Sequence, residues 1–302
     1  MMNPSNLSPS IGTVAAVAMT GWLVVTPSWL LATAPPQLLF EPSTGLQPIA
    51  QRLQRIDPKQ FLAIMDMVGL TNPGPPIRVV LAPDESDLAQ RVPAWVVGYA
   101  IGNTSTIVLL PDRVPNYPYD SLEGVLSHEI GHILTHRAAG GNEIPRWFDE
   151  GLAMKAARRW NFEERGRLVW AMVSRHPVSF EELNEWFVTD GSSARRAYVI
   201  AHALTLDILN QTSHDWPKKI LAQVASGTPF RKAFAQTTFM TLEQAEQTFW
   251  KHHTLWNRWI PVVTSSGMVW LMITALVFYA ARKQRTRTAA IQKRWEEEDL
   301  EP

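Results

Sequence analysis

Ser127-His128-Glu129-Ile130-Gly131-His132 sets two histidines four residues apart, with a glutamate directly after the first. On an α-helix, residues four apart lie one turn up on the same face. His128 and His132 can therefore each turn an imidazole nitrogen toward one zinc ion. Glu129 stands beside the first of them, in reach of a water activated there. The flanking residues predict such a helix. Asp120 with Glu123 reads as a capping box ahead of an apolar run. Val125, Leu126, Ile130, Ile133 and Leu134 form a broad apolar surface that would bury the helix and put the histidines in an interior cleft. Gly131 weakens the helix by roughly 1 kcal/mol relative to alanine, so its presence points to a close approach by a neighbour.

Downstream lies Ile144-Pro145-Arg146-Trp147-Phe148-Asp149-Glu150-Gly151-Leu152-Ala153. Pro145 is suited to opening a second helix, which places Glu150 near its start as a third metal ligand. Two histidines and one glutamate leave a fourth position open for water, the arrangement of a catalytic zinc site. A structural zinc site more often uses cysteine, and the chain has none. Asp149 is a candidate partner for a metal-binding histidine. His136 extends the series by another turn, but it sits about 12 Å along the axis from His128 and is read as a structural or supporting residue.

The pair of motifs, H-E-x-x-H and then W-F-x-E-G-L-A, resembles the gluzincin zinc metallopeptidases, and most closely their peptidase MA-like group. The resemblance implies zinc at His128, His132 and Glu150 with Glu129 as general base. It also implies an α+β, thermolysin-like fold: a small N-terminal mixed sheet, then a helical C-terminal part. Related enzymes stabilise the oxyanion with a Tyr or His from the helical part. Tyr198 is the first candidate for that role and His202 the second. The resemblance further implies an edge strand that receives extended peptide, for which Thr106 to Leu110 is the candidate.

Composition sets the outer limits. The 302 residues leave room for one or two domains. With 28 basic and 28 acidic residues the net charge is zero, so nucleic acid is not an expected partner. The lack of cysteine excludes disulfides, cysteine nucleophiles and thiolate metal sites.

Both ends carry long uncharged runs. Ile11 to Thr33 is long enough to span a bilayer. It reads as a retained signal anchor, with a cleaved signal peptide as the alternative. Ile260 to Ala281 suits one transmembrane helix, followed at once by Arg282, Lys283, Arg285 and Arg287. The positive-inside rule then places the C-terminus in the cytoplasm and the zinc domain outside it, in a membrane that is bacterial by the family resemblance. The expected order is an anchor over 1–34, an extracytoplasmic peptidase MA-like domain over 35–258, a transmembrane helix over 259–281 and a cytoplasmic tail over 282–302.

Between the ends, Pro35 to Pro48 reads as a linker and Gln51 to Met67 as one amphipathic helix. Ile77 to Ala82 reads as a strand and Asp84 to Gln90 as a short helix. Val96 to Ala100 and Thr106 to Leu110 read as a strand pair across Gly102-Asn103. Helices are expected over Asn161 to Ser174, Phe180 to Val188, Arg195 to Asn210, Trp216 to Ala225, Phe230 to Ala235 and Thr241 to Trp256, with Ser179 and Thr241 as caps.

The expected function is a membrane-anchored zinc metallopeptidase. Its partners would be a peptide or protein substrate and the lipid bilayer. The alternative is a catalytically inactive membrane adaptor that uses the same scaffold to bind envelope proteins or polymers. The presence of all four of His128, Glu129, His132 and Glu150 speaks against that alternative.

Overall fold

The computed structural model describes residues 33–101, 104–114, 121–157, 178–263 and 266–298. Within them the chain is mostly helical, with one small sheet near the start. The sheet strands are β1 (Leu38–Pro42), β2 (Ile77–Leu81), β3 (Gly98–Ile101) and β4 (Thr106–Leu109), in the order β1-β2-β4-β3. β1 and β4 flank β2 in parallel, and β3 runs antiparallel to β4.

Burial explains the order. Ile77, Val79 and Leu81 of β2 face the main core, with Ile107 and Leu109 of β4 beside them. Val108 and Leu110 turn to the opposite face and join Ala82 and Ala89 in a second small cluster. β4 is thus buried on both faces, which its continuous apolar run requires of an interior strand. The expectation that Thr106 to Leu110 is the substrate-facing edge is therefore wrong. The edge on that side is β3.

Two other readings change. The expected linker contains β1, a strand at the far edge that tolerates its terminal Pro42. The single helix expected over Gln51 to Met67 is instead α1 (Gln47–Gln54), a 3-10 turn (Pro58–Phe61) and α2 (Leu62–Val68). Pro58 lacks the N–H a continuing helix would need, and Asp57 accepts from the Lys59 N–H to start the next turn.

Helix α3 (Asp87–Gln90) is short. The long α4 (Leu122–Ala138) then carries the two histidines. Its cap is Ser121, whose Oγ accepts from the Gly124 N–H at 3.1 Å. Asp120, the expected cap, falls outside the described residues. α5 (Arg146–Ala157) follows, with Pro145 O accepting from the Phe148 and Asp149 N–H groups. The helical part continues as α6 (Phe180–Thr189), α7 (Gly191–Gln211), α8 (Trp216–Ala225), α9 (Phe230–Thr238), α10 (Leu242–Val263) and α11 (Ser266–Glu298). The helix expected over Asn161 to Ser174 lies outside the described residues. Both expected caps form. Ser179 Oγ accepts from the Glu182 N–H, and Thr241 and Gln244 exchange reciprocal bonds at the start of α10.

The expected C-terminal transmembrane helix is overturned. Among the described residues, no helix is long and apolar enough to cross a membrane. The run from Ile260 to Ala281 is divided between α10, which ends at Val263, and α11, which begins at Ser266. In α11 the apolar residues reach from Met268 to Ala281 before Arg282 and Lys283. That is about 21 Å of helix, short of the roughly 30 Å hydrocarbon core. The extracytoplasmic placement was deduced from that span and loses this support. The first candidate span, residues 11–33, falls outside the described residues save Thr33.

Candidate metal centre

Helices α4 and α5 cross closely because Gly131 permits it. A Cβ on Gly131 would stand 3.1 Å from Ala153 Cα and 3.4 Å from Ala153 Cβ. The sequence expectation of a close neighbour at Gly131 is met by α5. On its other side α5 meets α7 just as tightly. A Cβ on Gly151 would lie 2.0 Å from Thr205 Oγ1 and 2.8 Å from Ala201 O. α5 is thus clamped at two glycine contacts one face apart.

Trp147 and Phe148 anchor the start of α5, and both are fully buried. The Trp147 ring lies 4.9 Å from Phe180, and Phe148 lies 5.0 Å from Phe230 and 5.4 Å from Trp216. The Trp147 N–H also donates to Asn184 Oδ1 of α6 at 2.9 Å. Aromatic burial on one side of α5 leaves Asp149 and Glu150 turned toward α4.

The result is a convergence of three ligand atoms. His128 Nε2 lies 3.0 Å from His132 Nε2 and 3.1 Å from Glu150 Oε2, and His132 Nε2 lies 3.4 Å from the same oxygen. A tetrahedral ion with ligand bonds near 2.0–2.1 Å puts its ligand atoms about 3.3 Å apart. The triangle has that size. The buried His128–His132–Glu150 group can hold a metal ion.

Support for the triangle comes from Asp149. Its Oδ2 lies 2.8 Å from His132 Nδ1 and 3.2 Å from His136 Nε2. A proton on His132 Nδ1 directed at Asp149 leaves the Nε2 lone pair facing the site. His136, whose side chain is half exposed, is no ligand here but the second residue that holds Asp149. Burial alone would raise the carboxyl groups of Asp149 and Glu150. Asp149 is nevertheless held below the usual carboxylate range by His132 and His136, and Glu150 by His132 and His128. Glu129 differs. It is buried, and desolvation pushes its carboxyl up more than the two imidazoles pull it down.

A cleft of about 820 Å³ opens over these groups. His128, Glu129, His132, Asp149 and Glu150 line it, as do Gly98, Tyr99 and Ala100 of β3. β3 is drawn against α4 at Gly98, where a Cβ would stand 2.6 Å from Val125 Cγ1. Leu110 N–H donates to Val97 O. By the alternation of an antiparallel pair, Gly98 and Ala100 then turn their N–H and C=O away from β4. These outward groups on an edge strand are features the sequence reading missed.

Tyr198 of α7 also lines the cleft, its ring centroid 6.0 Å from that of His128. His202, one turn on, is fully buried and is not among the lining residues. Asp149 and Arg146 complete the wall near the ligands.

The chain matches no protein-family model and no curated protein.

Proposed function

We propose that this chain is a zinc-dependent metallopeptidase that hydrolyses peptide bonds. The observation that carries the reading is the triangle of His128, His132 and Glu150 beside the buried Glu129, in a cleft bordered by β3, an edge strand among the described residues. The resemblance of the two motifs to gluzincin peptidases supports the same choice of metal.

A bound zinc ion would supply Lewis acidity and a water of lowered pKa. Glu129 takes the proton of the attacking water and passes it to the departing amine. Its burial suits this role, because a carboxylate whose proton affinity is raised is a stronger base. The Tyr198 hydroxyl is the proposed donor to the oxyanion. The free N–H and C=O groups of Gly98 and Ala100 hold the substrate main chain as an added strand. Asp149 keeps His132 in the required tautomer.

The test pairs metal content with hydrolysis in the full chain. Wild-type protein is expected to hold about one zinc per chain and to cleave casein or a quenched peptide library. Glu150→Gln should lose the metal. Glu129→Gln should keep the metal and lose cleavage. Folded wild-type protein without metal, or cleavage that survives in Glu129→Gln, rejects the reading.

A further inference from the structure

Arg146 is the first residue of α5 and sits in the wall of the cleft. Its Nε reaches Glu150 Oε1 at 3.5 Å, the outer limit of a hydrogen bond. Its two Nη groups have no hydrogen-bond partner among the described residues. The guanidinium lies over the Phe187 ring, 5.3 Å from the centroid, and the side chain is 43% exposed. Phe187 itself is fully buried, so the surface beneath the guanidinium is rigid. The backbone is fixed too, by the Pro145 turn and the Trp147–Asn184 bond.

Three other charged groups of the cleft have partners of their own. Arg137 donates to Pro73 O, to Pro75 O at 2.7 Å and to Ser105 Oγ at 2.8 Å. Glu150 belongs to the metal triangle, and Asp149 bonds His132 and His136. Whereas both Nη groups of Arg137 are engaged, Arg146 is, among the described residues, the lining arginine whose two Nη groups both lack a hydrogen-bond partner. They form the planar fork that matches a carboxylate. An arginine fork stacked on a ring and partly dried by its surroundings binds a carboxylate more strongly than it binds an amide. Its Nε lies 3.5 Å from the second oxygen of the Glu150 carboxylate, so the guanidinium borders the ligand triangle.

We propose that Arg146 is a specificity-determining residue that selects substrates carrying a carboxylate next to the scissile bond. The inference rests on the peptidase reading. The carboxylate can come from an Asp or Glu side chain or from the C-terminus of a peptide cut near its end. A role confined to balancing Glu150 would use Nε alone. That role predicts loss of metal when Arg146 is replaced.

The experiment reads binding rather than turnover. Full-length, zinc-loaded Glu129→Gln protein is titrated with dansylated hexapeptides in matched pairs. One pair differs by Glu against Gln at a single position, scanned along the peptide. The other differs by a free C-terminal carboxylate against an amide. The acid is expected to bind about tenfold more tightly than its neutral twin in at least one pair, about 1.4 kcal/mol. Preference for the internal Glu assigns the side chain as the source, and preference for the free terminus assigns the C-terminus. Arg146→Gln is expected to bring the ratio to near one with zinc content and melting temperature unchanged. Arg146→Lys should retain part of the preference. No preference in the parent protein, an equal preference in Arg146→Gln, or zinc loss in Arg146→Gln overturns the proposal. Hydrolysis of the same peptides by the chain with Glu129 intact is scored separately. An Arg146-dependent preference without any hydrolysis rejects the peptidase reading while leaving carboxylate recognition supported.

Discussion

Asp149 Oδ2 stands 2.8 Å from His132 Nδ1, and this contact decides which nitrogen of His132 faces the metal site. The two residues come from different helices. The tautomer of a candidate ligand on α4 is therefore set by the packing of α5. Replacing Asp149 with Ala should weaken zinc binding about 10- to 100-fold while leaving the fold intact. Competition with a chromogenic chelator measures this directly. An affinity equal to wild type would mean that His132 is oriented by something else.

The same contact makes metal binding a competition with protons. Burial alone would lower the His132 imidazole, but Asp149 and Glu150 outweigh it and hold it well above its ordinary value of 6.5. Without metal, the two carboxylates favour the protonated form of His132. Because its folded value is raised, the stability it contributes is fully present below the ordinary histidine value. That stability is lost as the pH climbs through the raised one. Zinc must displace this proton, so zinc affinity should increase as the pH rises toward that value, by about tenfold per pH unit. Titration in weak buffer with a pH dye should show proton release on zinc addition. Affinity independent of pH between about 6 and 8 would contradict the assignment.

Gly151 meets Thr205 with no room for a methyl group. Gly151→Ala should destabilise the protein by about 1–3 kcal/mol through overpacking. It should also reduce zinc occupancy, because Glu150 moves with the helix. Adding Thr205→Gly removes the nearer obstacle, while the Ala201 carbonyl at 2.8 Å remains. Recovery in the double variant should therefore be partial. Thermal melting and metal content distinguish these outcomes, and full stability in Gly151→Ala alone would show that the two helices can part freely.

Ala100 tests the role of the strand edge. Its N–H points away from β4, so Ala100→Pro removes a donor on the cleft side without removing a rung of the sheet ladder. KM for a peptide substrate should rise about fivefold, the effect of one lost hydrogen bond, with kcat little changed. Loss of kcat at constant KM would place the peptide elsewhere in the cleft.

The local periodicities were enough to expect several elements. Ser179 and Thr241 cap their helices as their sequence neighbours suggest. Trp216–Ala225 forms at the expected residues. The substrate edge was misassigned for an equally physical reason. Alternation separates one face of a strand from the other, and neither face reports which neighbour a strand pairs with. The continuous apolar run from Thr106 to Leu110 was the available signal that this strand is interior. The expected C-terminal span was a count of uncharged residues, which cannot show that the run is shared between two helices.

The sequence by itself pointed to the group that can hold a metal ion. His128, Glu129 and His132 share a helix, and helical geometry alone brings the two histidines to one face. Glu150 could be named from its motif, since the opening of its helix at Pro145 is a local event. Only the tertiary structure decided what surrounds those ligands. The Asp149 contact to His132, the Gly151 contact to Thr205, the packing of β3 against α4 and the stacking of Arg146 on Phe187 all join separate segments of the chain. Such contacts depend on how helices cross and sheets order themselves. Those choices arise from packing the whole core, which no single stretch of sequence encodes.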